Sequence, residues 1–211
     1  MRVAVFIDWM NVYKSAREAF GLTEESGARG QVDPYRLGRV LAAANRRGAS
    51  PDLARVEVHR GRPLPNQSPV GHAAATLQAR AWEESDPQIV KAQLRPLRLN
   101  PETQRLEEKG VDVALAACAF EWAVIESVDR VVIFSHDTDL SSIVEVIART
   151  KGPQAVETAS WCSNEYRKRI PPIAGVTNHL LREKLFRAIE DKTHYGREAR
   201  RRLEEKASLP V

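Results

Sequence analysis

Residues 131–140 read VVIFSHDTDL, an apolar run followed directly by polar and acidic residues. Its four apolar residues predict a buried strand, and the segment SHDTD at 135–139 follows that strand directly. Two carboxylates at the end of a buried strand repel each other, and a neighbouring positive charge usually offsets that repulsion. A basic side chain, a helix N-terminus or a metal ion could supply it.

The rest of the chain alternates short strand patterns with helical patterns. Runs of β-forming residues predict strands over 2–7, 54–60, 88–94, 130–135 and 154–160. Apolar residues at helical spacing predict helices over 10–20, 34–47, 70–84, 110–125 and 138–149. This alternation predicts an α/β fold with a mainly parallel central sheet and helices on both faces.

Two charged segments lie outside this pattern. Residues 95–109, RPLRLNPETQRLEEK, are expected to form a loop or a small hairpin. Residues 197–206, REARRRLEEK, carry Arg and Glu at helical spacing and are expected to form a solvated surface helix.

Composition restricts the class of protein. The 211 residues suffice for one full domain, and 43% apolar with 28% charged residues is ordinary for a globular protein. No run of eighteen apolar residues exists, so no membrane-spanning helix is expected. The N-terminal apolar run is too short for a signal peptide and Asp8 interrupts it, which favours a cytoplasmic location.

Cysteine and charge content add two weaker expectations. Cys118 and Cys162 form no CxxC pattern and the five histidines are scattered, which argues against a disulfide framework or a zinc site of the usual Cys/His type. The formal net charge is +4, and the pI is about 9.2. This mildly basic balance permits a polyanionic partner without requiring one.

Several acidic residues are expected to meet at one edge of the sheet. Asp8 ends the first strand and Asn11 follows it, while Asp137 and Asp139 follow the strand at 130–135. Asp112 lies near the start of an apolar helix. Ligands of open parallel sheets bind beyond the carboxyl ends of the strands, and clustered carboxylates suit Mg²⁺ or Mn²⁺.

Each aspartate also has a purely structural interpretation. Asp8 could cap the helix that follows it, and Asp137 or Asp139 could cap the helix that begins near residue 138. Asp112 could lie in the first turn of its helix, where the macrodipole favours a negative charge. Capping explains any single aspartate, but three separate sheet-edge positions that all carry carboxylates are harder to explain in this way.

Three motifs in order resemble the NYN domain family, a branch of the PIN-like nuclease superfamily. VFIDWMNVY at 5–13 resembles its F-x-D-x-x-N opening, and EKGVDVALA at 108–116 resembles its K-G-V-D-V segment. VVIFSHDTDL resembles its strand followed by S-G-D-S-D-F. AVETASW at 155–161 and HLLREKLFRAIEDKTHY at 179–195 resemble the closing strand and tail of bacterial members.

The resemblance implies a Rossmann-like PIN fold and a divalent-metal-dependent ribonuclease that hydrolyses RNA phosphodiester bonds. Residues 1–195 would form the NYN/PIN-like domain and residues 196–211 a basic helical tail. The positions that match the family's catalytic pocket are Asp8, Asn11, Asp112, Asp137 and Asp139. The four aspartates among them would bind Mg²⁺ or Mn²⁺.

Three positions depart from the family pattern and affect the activity that it implies. Cys118 stands where the family commonly has Asp, His136 where it has Gly, and Trp9 where Gly is frequent. A thiol at 118 would remove one hard ligand, whereas His136 could act as a ligand, as a proton donor or only as a solvent-accessible loop residue. The alternative function is a catalytically weakened PIN-like module that binds RNA or protein. A small-substrate phosphatase and an interaction domain of a larger assembly are further alternatives.

Basic residues around the acidic edge are candidates for RNA contacts, because phosphate contacts supply much of the affinity for nucleic acid. They are Arg60 and Arg62 after the second strand, and Arg95, Arg98, Arg105 and Lys109 before the helix of Asp112. Trp9 is an aromatic candidate for base stacking, which single-stranded RNA favours. Single-stranded RNA is therefore the expected partner. The sequence leaves open whether the chain also forms a homo-oligomer.

Overall fold

The computed structural model describes residues 1–44, 51–126 and 128–208. The strands are β1 (Arg2–Asp8), β2 (Asp52–Arg62), β3 (Val90–Pro96), β4 (Arg98–Leu99), β5 (Leu106–Glu107), β6 (Arg130–Phe134), β7 (Val156–Trp161) and β8 (Thr177–Leu181). The helices are α1 (Trp9–Ala19), α2 (Pro34–Ala44), α3 (Pro69–Ser85), α4 (Val111–Val124), α5 (Ser141–Lys151), α6 (Glu183–Ile189) and α7 (Tyr195–Ala207).

Six parallel strands form the central sheet in the spatial order β3-β2-β1-β6-β7-β8. The chain moves outward from β1 to β3, crosses back through α4, and then moves outward in the opposite direction from β6 to β8. Strand order therefore reverses between β1 and β6. A crevice forms at such a switch point, beyond the carboxyl ends of the two strands.

Alternate residues of the central strands pack into two separate cores. Val5 and Ile7 of β1 face a core that also contains buried residues of α1, α2, α3 and α6. Ala4 and Phe6 face the opposite core, which contains buried residues of α4 and α5. This alternation follows from the two-residue period of a strand, and it confirms the predicted parallel sheet with helices on both faces.

The five predicted strands and the predicted hairpin are confirmed, but β8 was missed. Its sequence, TNHLL, is polar at three of its five positions, and β8 is an edge strand with mostly accessible side chains. It therefore lacks the apolar signal that marks the inner strands. The segment at 95–109 contains β4 and β5, which pair antiparallel. The predicted end of the second helix at 45–47 lies outside the described residues.

The C-terminal helix α7 packs on the domain as well as facing solvent. Ala199 is completely buried, and α7 packs against α3. On the exposed side, Arg201 and Arg202 form ion pairs with Glu198. The surface helix expected at 197–206 is thus present with one buried face, and the domain boundary drawn after residue 195 falls within α7.

Within the described part of the chain, none of the helices combines the length and the apolar composition that crossing a bilayer requires.

Candidate acidic metal centre

Asp8 lies at the switch point and caps α1. Its Oδ1 accepts a hydrogen bond from the Asn11 main-chain N–H at 3.4 Å, and its Oδ2 accepts one from the Ser135 hydroxyl at 2.9 Å. The side chain links the ends of β1 and β6, and the residue is only 3% exposed. The capping interpretation is therefore correct for Asp8, but it does not account for the charges around it.

The turn after β6 places Asp137 and Asp139 opposite the start of α4. Asp137 caps a short 3₁₀ helix, because its Oδ1 accepts from the Asp139 N–H at 2.9 Å. Asp112 lies in the first turn of α4, which begins after Gly110 in the left-handed conformation (φ 75°). Partial burial raises the pKa of Asp112, and the charges of Asp137 and Asp139 raise it further. Asp112 is thus close enough to Asp137 and Asp139 for their charges to act on it.

Asp8 carries the largest electrostatic penalty of the group. Burial raises its pKa to about 7, and the negative charges of Asp112 and Glu108 add to the effect. The hydrogen bonds from Ser135 and Asn11 oppose this shift but do not cancel it. A bound cation would remove the repulsion between these carboxylates.

Glu108 belongs to this site, although it was not among the predicted residues. Its carboxylate accepts a hydrogen bond from the Gly61 N–H at the end of β2. Desolvation and Asp112 raise the pKa of Glu108, whereas Arg60 and Lys14 lower it. The available sequence signal was its position one residue before Lys109 in the K-G-V-D-V segment, whereas Lys14 had no such signal.

The oxygen ligands fit a hydrated hard cation better than a directly enclosed one. No three of the four predicted aspartates bring carboxylate oxygens within 4.8 Å of one another. Mg²⁺ usually keeps several of its waters and binds proteins through one or two carboxylates. Water-mediated contacts can therefore span the remaining separation.

Asn11 and His136 support the site without lining it. The Asn11 Oδ1 accepts from the His136 main-chain N–H at 2.8 Å and lies 3.1 Å from its Nδ1. The His136 Nε2 accepts from the Trp161 N–H at 2.9 Å. Burial lowers the pKa of His136 to about 4, so the ring is neutral at physiological pH.

The interpretations of His136 as a metal ligand, a proton donor or a solvent-accessible loop residue are therefore all wrong. Both of its ring nitrogens are in hydrogen bonds, and the residue is 7% exposed. The Asn11 side chain holds the turn after β6 in place, and its main-chain N–H contacts Asp8.

The prediction that Trp9 stacks on a base is wrong because its side chain is buried, and Cys118 interacts with Glu57 rather than with one of the four aspartates. Trp9 is 2% exposed and packs on Trp82 with ring centroids 4.3 Å apart, so its ring cannot stack on a base. Cys118 lies on α4 six residues after Asp112, and side chains at that spacing point about 120° apart around a helix. Burial and the neighbouring Glu57 raise the pKa of its thiol to about 11.

The predicted basic residues lie at the end of β2 or on and beside the β4–β5 hairpin. Arg95, Arg98, Arg105 and Lys109 are exposed on or beside the β4–β5 hairpin. The Arg95 guanidinium lies beside Gly110, the residue before α4, because a Cβ added at Gly110 would lie 3.9 Å from it. Arg60 is held by Gln78 and lies 6.0 Å from the Trp82 ring, and Arg62 contacts Thr76.

An open cleft of about 900 Å³ begins beside Glu108. It runs between α3, the hairpin and the start of α7, and its charged lining includes Lys14, Arg60 and Arg197. Lys14 and Arg197 were not predicted, because nothing in the sequence indicates that α1 and α7 meet at this cleft.

A second group of metal-ligating side chains lies between β2 and α4, and its His59 is paired with Asp8 across β1 and β2. Within residues 1–44, 51–126 and 128–208, the ligand atoms of Glu57, His59 and Cys118 all lie within 4.8 Å of one another. This group was not predicted.

A family model of the NYN domain matches residues 2–158, which is more than half of the chain. The chain belongs to the NYN domain family. NYN domains have a PIN-like, nuclease-type fold, typically use divalent metals and are associated with RNA binding.

A solved structure supports the fold. A Vibrio parahaemolyticus protein of unknown function is similar to this NYN domain with a TM-score of 0.53 and 18% identity. The match covers 85% of this chain and 91% of that protein. A search of curated proteins finds no match.

Proposed function

We propose that this NYN domain is a divalent-metal-dependent ribonuclease that hydrolyses phosphodiester bonds in single-stranded RNA. The observation that carries the proposal is the repulsion at the switch point, where burial, Asp112 and Glu108 raise the pKa of Asp8 to about 7. Ionised Asp8 is unfavourable in the metal-free protein, and strongly perturbed carboxylates in a crevice mark a candidate functional site.

The residues that would hold Mg²⁺ or Mn²⁺ are Asp8, Asp112, Asp137 and Asp139, directly or through water. When bound, the ion would stabilise negative charge on the attacking and leaving oxygens of the phosphodiester. Ser135 and Asn11 keep Asp8 and the turn after β6 in position through their hydrogen bonds.

Glu108 is proposed to take part in proton transfer. Burial moves the pKa of Glu108 upward, toward neutral pH. A general base works best when its pKa is near the working pH. It lies at the mouth of the basic cleft, next to Arg60 and Lys14. A water molecule that attacks a phosphate in this cleft would have Glu108 beside it as proton acceptor, with Asp112 orienting it.

The RNA strand is proposed to follow the cleft that begins at Glu108. Lys14, Arg60 and Arg197 would contact phosphates along it, and Arg95 would contact the phosphate nearest Asp112. Arg62, Arg98, Arg105 and Lys109 extend the positive charge around the hairpin. An open cleft suits a flexible single strand, whose backbone can track a basic groove.

One observation favours the alternative function, a PIN-like module that binds RNA or protein without efficient cleavage. The carboxylate oxygens of the four aspartates are too far apart for three of them to contact one ion directly. Cys118 no longer supports this alternative, because its thiol lies beside Glu57 and outside the crevice.

RNA cleavage with matched variants tests the proposal. Purified protein is incubated with labelled single-stranded RNA and Mg²⁺ or Mn²⁺, next to Asp8→Asn and Asp112→Asn. Asp52→Asn is the control, because Asp52 is an exposed aspartate at the start of β2 and hence at the opposite edge of the sheet.

Both site variants should cleave at least about 100-fold more slowly, because the ion contributes several kcal/mol to the transition state. The control should match the wild type. RNA binding without cleavage in the wild type would support the alternative module instead, and equal cleavage by all four proteins would remove the acidic crevice from the mechanism.

A further inference from the structure

A buried polar cluster lies between β2 and α4, on the same face of the sheet as Phe6. Glu57 and His59 alternate with Val56 and Val58 along β2, so they point toward α4 while the valines point into the core on the other face. Glu57 is 3% exposed and His59 is 1% exposed. Cys118 on α4 reaches the same place, since its thiol interacts with Glu57.

His59 has unused binding capacity. Among the described residues, the Nδ1 of its buried ring has no hydrogen-bond partner. Its Nε2 lies 3.4 Å from the Glu57 Oε2, so the ring is directed into the cluster. Buried polar atoms are almost always hydrogen-bonded, and an exception requires an explanation such as an ion.

The three ligand atoms lie close enough together for one zinc ion to bind them after a small movement of the thiol. One sulfur, one nitrogen and one carboxylate oxygen lie within 4.8 Å of one another. Two ligands at zinc-bonding distance from a tetrahedral ion lie about 3.4 Å apart, and the His59 and Glu57 atoms are separated by 3.4 Å. Only the thiol needs to approach, and Cys118 lies on a helix surface with partial access to solvent.

The surrounding contacts leave the required carboxylate oxygen accessible. Arg55 Nε bonds the Glu57 Oε1 at 2.9 Å and thereby fixes the carboxylate through its other oxygen. Such outer contacts orient the ligands of metal sites. The Gln93 side chain approaches Oε2 at 3.4 Å, which is at the long limit for a hydrogen bond.

We propose that Glu57, His59 and Cys118 bind a zinc ion that joins α4 to β2. Cys118 binds as the thiolate after its proton passes to solvent, and a water molecule takes the fourth position. Thiolate and imidazole select zinc, whereas the all-oxygen crevice at Asp8 selects Mg²⁺ or Mn²⁺. The zinc ion would also fix the position of α4, whose first turn carries Asp112.

Cobalt substitution tests this site without relying on nuclease activity. Metal-free protein is titrated with Co²⁺ and the sulfur-to-cobalt charge-transfer absorption is recorded, followed by displacement with Zn²⁺. The sequence contains two cysteines. Cys162→Ser is therefore the matched control, since Cys162 is buried beside Ser163 and away from the cluster.

Wild type and Cys162→Ser should both show the sulfur band at one Co²⁺ per chain. Cys118→Ser should lose the band, and His59→Gln should weaken Zn²⁺ binding by at least about 10-fold. Asp8→Asn should bind Zn²⁺ like the wild type, which separates this site from the acidic crevice.

The proposal would be overturned if the wild type binds Co²⁺ without a sulfur band, or if Cys162→Ser abolishes it. These two outcomes do not depend on whether Cys118→Ser or His59→Gln folds. Thermal unfolding of the wild type with and without Zn²⁺ gives a second readout, since a bound ion should raise the melting temperature. No rise would also contradict the site.

Discussion

Asp8 combines a structural role with an unfavourable charge. Asp8 caps α1 with one carboxylate oxygen and accepts a hydrogen bond from the Ser135 hydroxyl with the other. Such hydrogen bonds favour the ionised carboxylate and ordinarily lower its pKa. Here burial and neighbouring carboxylates dominate, and the pKa rises to about 7 instead of falling. Ionised Asp8 therefore lowers the stability of the metal-free protein, and a bound cation would reverse that effect.

Asp8→Asn should stabilise the metal-free protein at pH 8. The folded pKa of about 7 exceeds the ordinary value of 3.8, so the folded state loses stability as the pH rises between these values. Asparagine keeps the cap without the charge, and the expected gain at pH 8 is on the order of 2 kcal/mol. Urea unfolding in EDTA at pH 8 and pH 4 checks this, and the gain should vanish at pH 4. A gain of equal size at both pH values would mean that the ionisation of Asp8 is not its cause.

His136→Ala should destabilise the protein although it touches no acidic residue of the site. The change leaves the Trp161 N–H without its acceptor, which costs about 1–3 kcal/mol in a buried position. His194→Ala is the control, because His194 lies at the start of α7 and not in the core. Urea unfolding at pH 7 measures the stability of both variants. If His136→Ala is as stable as His194→Ala, the His136 ring is solvent-accessible and does not hold the Trp161 N–H.

Most of the site residues could be predicted because they follow the ends of apolar strand patterns in the sequence. Asp8, Asp137 and Asp139 follow apolar runs, and Asp112 opens an apolar helix, so each could be assigned to the carboxyl edge. Which way a neighbouring side chain points was harder to foresee. Trp9 and His136 are next to these aspartates in sequence but point into the protein, because the start of α1 and the turn after β6 must also bury apolar and aromatic surface.

At the scale of elements, the β4–β5 hairpin is the part whose function depends most on charge. Its arginines are exposed and it lies at the end of β3, beside the start of α4. Nothing buried requires positive charge at these positions, so the arginines are available to contact phosphates.

Replacing Arg95, Arg98 and Arg105 together by Ala should flatten the salt dependence of RNA binding. Fewer counterions are released when phosphate contacts are lost, and the slope of log K against log salt should fall by up to about 2 for a single strand. The matched control replaces Arg2, Arg149 and Lys151, which are exposed at the opposite edge of the sheet. Fluorescence anisotropy across a salt series measures both, and an unchanged slope in the hairpin variant would place the RNA elsewhere.

At the scale of the whole molecule, the sequence was sufficient for the order of the strands and helices up to β7, but not for β8, for α6 or for how the C-terminal helix packs. The strand–helix alternation predicts a parallel sheet, and the switch point follows from the connections. The buried face of α7 depends on a single small residue, Ala199, within a charged sequence. One alanine among arginines and glutamates has no pattern that distinguishes a packed helix from a solvated tail.

Ala199→Glu should therefore destabilise the whole domain. A carboxylate at this completely buried position would have to be desolvated or would push α7 off α3, and the expected loss is roughly 2 kcal/mol or more. Ala207→Glu is the control, because Ala207 is exposed at the end of the same helix and the change adds the same charge. Urea unfolding at pH 7 compares the two variants. If both unfold with the wild type, α7 is a detachable tail and the boundary after residue 195 is correct; if only Ala199→Glu is weakened, the folded domain extends through α7 and the cleft lined by Arg197 is part of it.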